Sequence, residues 1–212
     1  MKPENSLVCQ SRDAAYHPGV IDKSHVRNIR VNGDGFGVAF YSDKPEIGSC
    51  LFKFVTPAWS NKNLINLGQF IRSSLILGHI RAATSGTDPL EPQSVSIENC
   101  HPFKHLHWTF MHNGGIPRFS KIKLALLNLL CDTCFQNING STDSEHIFAL
   151  FLSLLPSKDA FFDATVITEV LERTIATIIK LCEVRYRLFY LIQTPINNCN
   201  LSRTRASLKL VR

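Results

Sequence analysis

No apolar run in these 212 residues is long enough to cross a bilayer. The longest, Phe148 to Leu155, is interrupted by Ser153. The opening stretch Met1-Lys2-Pro3-Glu4-Asn5-Ser6 holds no apolar segment of the secretory kind. Charge is sparse, at 19% of residues, and forms no long run of one sign. The net charge of +6 comes from singly scattered basic residues and from Arg203, Arg205, Lys209 and Arg212 in the last ten positions. Scattered charge is a solvated surface, so no nucleic-acid partner is expected. With neither export nor membrane signal, the expectation is a cytoplasmic chain without membrane contact. Its seven cysteines are then expected to stay reduced.

Other signatures are missing too. There is no internal repeat and no low-complexity linker. Gly33-x-Gly35-x-Gly37 has neither the spacing of a dinucleotide loop nor the lysine ending of a phosphate loop, and it precedes a strand instead of a helix. Four histidines, His101, His105, His107 and His112, invite a metal reading, and His105 and His107 would share one face of a strand. No closed ligand set with zinc-like spacing accompanies them. Cys131-x-x-Cys134 is a redox or metal half-motif in a predicted helix, without a second pair. No metal and no cofactor are expected.

What is present suits a globular core: 44% of residues are hydrophobic. Gly-Asp-Gly-Phe-Gly leads into a strand at Val38–Tyr41, and Cys50–Val55 reads as its hairpin partner. Apolar spacing predicts a helix over 61–73. Two further strands are expected before Gly78 and over 107–111, with a proline-bearing loop at 86–98 between them. Residues 13–31 are irregular, with a turn at Tyr16–Gly19. A helix is predicted over 121–137. Thr142-Asp143-Ser144-Glu145 has the form of a capping box ahead of a helix that ends at Pro156. A last helix is predicted over 164–184, and Tyr186–Tyr190 reads as a strand. Strands first and helices after make an α+β chain with helices on a mostly antiparallel sheet.

The stretch from Gly78 to Ile116 organises the rest. An arginine and a threonine leave one strand, in His79-x-Arg81-x-x-Thr84. An asparagine and two glycines leave the next, in His112-Asn113-Gly114-Gly115. Polar groups delivered to one sheet edge suit a small ligand. Each also has a plainer reading. Asn113-Gly114 is a common hairpin dipeptide, Arg81 suits a salt bridge, and Asp143 suits the positive end of a helix dipole.

These two segments resemble the signature strands of the class II glutamine amidotransferase domain, an N-terminal-nucleophile (Ntn) hydrolase. Asn32–Gly37 upstream and Ser141–Glu145 downstream fit in the same order. Gly-Asp-Gly-Phe-Gly and Asn99-Cys100-His101-Pro102-Phe103 are most similar to the glutamine-amidotransferase-like subunit of the fungal glutathione degradosome. The resemblance implies an αββα sandwich. It implies a cysteine thiolate at the N-terminus as nucleophile, with its own α-amine as base, and a γ-glutamyl thioester that water hydrolyses. Asn113 and Gly114 match the catalytic oxyanion hole. Arg81 and Thr84 match the substrate carboxylate site, and Asp143 the site for the substrate ammonium. The implied substrate is glutathione or glutamine, with a metallopeptidase partner subunit.

The chain departs from that pattern at both ends. It begins Met1-Lys2-Pro3, where the family has cysteine after methionine, and Asn5–Ser11 resembles a segment further into the family sequence. The expectation is therefore a partial domain over residues 1–196, lacking the nucleophile, the first strand and the C-terminal strands, followed by a basic, divergent tail over 197–212. A truncated gene model, a splice form and a degenerate paralogue all remain open. So do three functions: γ-glutamyl amide hydrolysis, an inactive pseudoenzyme that binds γ-glutamyl ligands or a peptidase subunit, and a plain interaction domain.

Overall fold

A computed structural model describes residues 6–13, 31–42, 48–83, 94–192 and 207–211, with only the backbone described for 185–192 and 207–211. The described residues fall into two compact units, divided after Met111. The first contains helix α1 (Leu7–Arg12), strands β1 (Phe36–Tyr41) and β2 (Ser49–Phe54), helix α2 (Lys62–Phe70), strand β3 (Ile76–Ile80) and strand β4 (Phe103–His105). Strand β5 (Trp108–Asn113) runs to the division. The second unit is helical: α3 (Phe119–Leu127), α4 (Asp132–Gln136), α5 (Asp143–Leu154) and α6 (Ala164–Ile192).

In the first unit the sheet order is β2-β1-β3, antiparallel throughout. The expected hairpin is there, with Val38 opposite Phe52 and Ala39 opposite Leu51. The period of two along β1 sorts its side chains into two clusters. Phe36 and Val38 pack with Ala58, Leu64, Leu7, Phe52 and Ile80. Ala39 packs on the other side with Leu77, Met111, Tyr41 and Leu51. Helix α2 starts as the sequence predicts, because Asn61 Oδ1 accepts the Leu64 N–H at 2.8 Å.

A second sheet has the order β4-β5-β6, where β6 is Ser207–Val211. That strand lies within the stretch expected as a basic tail. Leu106, at φ 53°, turns the chain between β4 and β5, and His105 pairs with Trp108. His105 and His107 thus flank a tight turn and do not line one strand face, which removes the basis of the expected histidine pair.

The glycines of the Gly-Asp-Gly-Phe-Gly segment set the packing of β1. Gly35 has φ +122°, and a Cβ there would meet Cys100 Sγ at 2.5 Å. A Cβ on Gly37 would collide with the His101 carbonyl oxygen. The Asn99-Cys100-His101 segment therefore lies directly against the β1 backbone. The two motifs that stood apart in the sequence are one packed contact. His101 also stacks on His79, with ring centroids 4.3 Å apart, and meets the Phe103 ring at 4.6 Å.

Two corrections concern the helical unit. The predicted helix over 121–137 is broken into α3 and α4. The Cys131 N–H donates to Ser153 Oγ at 3.2 Å, so that amide goes to a tertiary partner and the chain restarts at Asp132. The predicted strand Tyr186–Tyr190 is the continuation of α6, which runs to Ile192. No glycine or proline stands between Ala164 and Ile192 to stop it. Helix α5 is buried from Asp143 to Leu152, which explains why Ile147–Leu152 is apolar without interruption. The turn expected at Tyr16–Gly19 lies outside the described residues.

Gly37→Ala should destabilise the protein by about 1–3 kcal/mol, because the added methyl displaces backbone and not a flexible side chain. Gly68→Ala, in α2 with nothing within 4 Å of the new carbon, should stabilise it by about 0.5–1 kcal/mol. Denaturant unfolding of both variants checks the opposite signs.

Candidate functional site

Arg81 leaves the end of β3 in the first unit. Its backbone is held on both sides by the glycine segment. The Arg81 N–H donates to the Gly35 carbonyl at 2.8 Å, and the Asp34 N–H donates to the Arg81 carbonyl at 3.0 Å. The Asp34 carboxylate then accepts the Ala83 N–H at 2.7 Å. Asp34 thereby fixes the turn that carries Arg81. In the sequence the flanking glycines are the conspicuous part of this segment. The signal available was an acid between two glycines, a residue whose side chain caps backbone N–H groups.

The Arg81 side chain is buried, at 5% exposure. Burial pushes its pKa down from the ordinary arginine value, and nearby Cys100 and Asp34 oppose that. An arginine remains protonated under these conditions, so the first unit buries a guanidinium fork of the kind that holds carboxylates in two parallel bonds. Thr84, the other expected carboxylate-site residue, lies outside the described residues.

Asn113, Gly114 and Asp143 are together in the second unit. Asn113 is the last residue of β5, and both it and Gly114 are exposed. Gly114 has φ 141°, a conformation that strains any residue with a side chain. Asp143 is the first residue of α5 and is 4% exposed. Its Oδ2 accepts the Ile116 N–H at 2.6 Å, and its Oδ1 accepts the Ser144 N–H at 2.8 Å. Ser144 Oγ adds a longer bond to Oδ1 at 3.3 Å and lies 3.0 Å from His112 Nδ1. The Asn113–Gly115 turn is thus tied to α5 on both sides, through His112 before it and Ile116 after it. Neither tie was read from the sequence, since each joins residues 27 or 32 positions apart.

The carboxylate has a clear local task as well as any ligand it holds. It sits at the N-terminus of α5, where negative charge is favoured, and it fixes the turn. A carboxylate offers about four acceptor positions, so capacity remains for a ligand cation. The start of α5 is further held by Thr142 Oγ1, which accepts the Glu145 N–H at 3.3 Å. The Glu145 carboxylate accepts the N–H groups of Asn139 and Gly140, at 3.0 and 2.7 Å.

His112 is buried among these groups. Burial pushes its pKa down from the ordinary histidine value, against the raising effect of Asp143. His146, on α5, is likewise pushed down by burial, while its Nδ1 lies 2.7 Å from the Thr142 carbonyl. Among the described residues no group of three or more His, Cys, Asp or Glu is placed to hold a metal ion. No described helix is long and apolar enough to cross a membrane.

Asp143→Ala should cost about 3 kcal/mol, because it leaves the buried Ile116 and Ser144 N–H groups without their acceptor. Chemical denaturation measures it. Stability should also fall as pH is lowered below 6.5, the ordinary histidine value. The unfolded chain protonates His112 and His146 near that pH, whereas the folded protein does so only lower down. Between the two the unfolded state binds more protons. The same pH series on His112→Gln should show a shallower slope.

Comparison with known proteins gives the family. A model of the class II glutamine amidotransferases matches residues 23–186. The chain is 45% identical over 157 residues to the probable glutamine amidotransferase DUG3 of Saccharomyces cerevisiae. That match covers 73% of this chain and 40% of DUG3, so the chain spans well under half of this relative's length. A solved structure of a glutamine aminotransferase class-II domain protein from Silicibacter pomeroyi is similar, with a TM-score of 0.58 and 30% identity. The match covers 83% of this chain and 64% of that one. The buried arginine after β3, the tied Asn-Gly turn after β5 and these matches together place the chain in the class II glutamine amidotransferase family.

Proposed function

We propose that this chain carries the substrate-holding and oxyanion-stabilising parts of a γ-glutamyl amide hydrolase, with glutathione as the preferred substrate. The observation that carries the reading is the Asn113–Gly114 turn, exposed at the end of β5 and tied through Asp143 and Ser144 to α5. A side-chain amide and a backbone N–H held in place beforehand are what a developing oxyanion requires. Arg81 supplies the fork for the substrate α-carboxylate, Thr84 shapes the same turn, and Asp143 receives the α-ammonium. Glutathione is preferred to glutamine because the Gly-Asp-Gly-Phe-Gly and Asn-Cys-His-Pro-Phe motifs resemble those of the glutathione degradosome subunit. That resemblance also brings a metallopeptidase subunit as the protein partner. The fold proposed for the whole domain is the αββα sandwich of Ntn hydrolases, consistent with antiparallel sheets and a helical unit. The reaction needs no cofactor.

The nucleophile in this proposal is an N-terminal cysteine thiolate that these residues do not supply. Every cysteine here is internal and lacks the free α-amine that would serve as its base. Cys9, the earliest, lies inside α1 with its N–H on Ser6 Oγ at 3.3 Å. The second reading is that the chain binds γ-glutamyl ligands or its partner without turning them over.

Calorimetry with glutathione and with glutamine tests binding by the 212-residue chain, and glutamate release by the protein from its native source tests turnover. Arg81→Ala should weaken glutathione binding by about 10-fold or more, the worth of a charge-assisted hydrogen bond. Asn113→Ala should lower glutamate release by about 10²–10³ while KM stays nearly unchanged. Binding without release would favour the second reading. Unaltered behaviour of both variants would sink the assignment.

A further inference from the structure

Cys131 and Cys134 have no part in the chemistry above, yet polar groups converge on them. Cys131 precedes α4 and is half-buried, while Cys134, one helical turn on, is 1% exposed. Lys158 Nζ donates to Cys131 Sγ at 3.5 Å, and Ser153 Oγ does so at 3.7 Å. Thr133 Oγ1 lies 3.4 Å from the same sulfur. The donors come from α4, α5 and the chain beyond α5. A thiol that merely fills a core does not collect an ammonium and two hydroxyls. These groups favour a thiolate, the reactive form of cysteine. Both cysteines are free. Residues three apart in a helix have Cα atoms roughly 5 Å apart, within the span of about 4.4–6.8 Å that a disulfide bridges.

We propose that Cys131 and Cys134 are a redox-active dithiol that reduces small-molecule disulfides, Cys131 attacking and Cys134 resolving. The Cys131 thiolate attacks one sulfur of the disulfide. A mixed disulfide forms on Cys131, and the other half leaves as a thiolate. Cys134 then gives up its proton and attacks Cys131 Sγ. The protein disulfide closes, and the second half leaves. Two electrons pass from the protein to the small molecule, and the proton from Cys134 ends on a released thiolate. The products are one protein disulfide, one small thiol and one small thiolate, which takes its proton from water.

The two sulfurs differ in the sense this sequence of steps needs. Burial pushes the Cys131 thiol up, but hydrogen bonds from Thr133, Cys134 and Ser153 outweigh it and bring its pKa down to about 6. At pH 7 roughly nine-tenths of Cys131 is then thiolate, a tenfold excess for one pH unit. Burial pushes Cys134 up, so it holds its proton until the second step. The charged group facing Cys131 across the packing is Lys158, and Asp132 follows it in the chain.

The experiment incubates the reduced protein with glutathione disulfide, quenches with a thiol-alkylating reagent, and maps the cysteines by peptide mass. The expected product is a Cys131–Cys134 peptide short of two hydrogens, with the exposed Cys50 still alkylated. Cys134→Ser should stop at a mixed disulfide on Cys131. Should that variant fail to fold, the unaltered protein decides by its alkylation rates. Cys131 should outpace Cys50 by tenfold or more at pH 7, with a rate that titrates near the value of about 6 set by its surroundings. Cys131 and Cys134 both alkylated after exposure to the disulfide, or Cys131 no faster than Cys50, would overturn the proposal. No γ-glutamyl turnover enters this readout, so its failure leaves the proposed function untouched.

Discussion

The helical unit depends on one buried carboxylate. Asp143 stands at the first position of α5 and takes N–H groups from two directions, Ser144 in its own helix and Ile116 in the turn after β5. A buried charge is tolerated only where hydrogen bonds compensate it, and here those bonds fix the Asn113–Gly114 turn. The same bonds that stabilise the helix start thus position the residues assigned to the chemistry. The turn is exposed and would otherwise be free to rearrange. Its anchor is a helix whose first ten residues are all buried.

The strand unit solves the same problem by close approach. Gly35 and Gly37 leave no room for side chains, so the Cys100–His101 backbone packs flat on β1. Asp34, between Gly33 and Gly35, reaches the turn beyond β3 with its carboxylate and holds the Arg81 backbone with its own N–H. Each unit therefore holds its candidate residue with an aspartate that accepts main-chain N–H groups. Such partners do not vary with side-chain identity, so the geometry is set by where the acid stands. Family membership follows from these motifs and from a match to more than three quarters of the chain, residues 23–186 of 212.

Apart from this shared chemistry, the unit with α4 and α5 holds a pair of thiols in a polar setting. Ser153 Oγ accepts the Cys131 N–H, and its one hydroxyl proton is shared between the Ala149 carbonyl at 2.9 Å and the Cys131 sulfur at 3.7 Å. The interruption between α3 and α4 and the environment of Cys131 thus have one origin, a serine on the neighbouring helix.

Much of this was open to sequence reasoning. The β1–β2 hairpin, α2, the Thr142 cap, the proline stop after α5 and the residues of the Arg81 and Asn113 segments all follow from local rules: alternation, capping and breakers act between neighbours in the chain. The misreadings share a different cause. A strand-like Tyr186–Tyr190 became helix because a long uninterrupted helix simply continued through it. A continuous pattern over 121–137 was cut because Ser153, over twenty residues away, claimed the Cys131 amide. The packing of Gly37 on His101, the anchoring of Arg81 by Asp34 and the lashing of the Asn113 turn to Asp143 likewise join distant residues. The sequence by itself determined the family motifs and most of the strands and helices. Only the tertiary structure decided what holds the motif residues in place, because the hydrogen bonds that do so close loops of tens of residues and leave no local pattern.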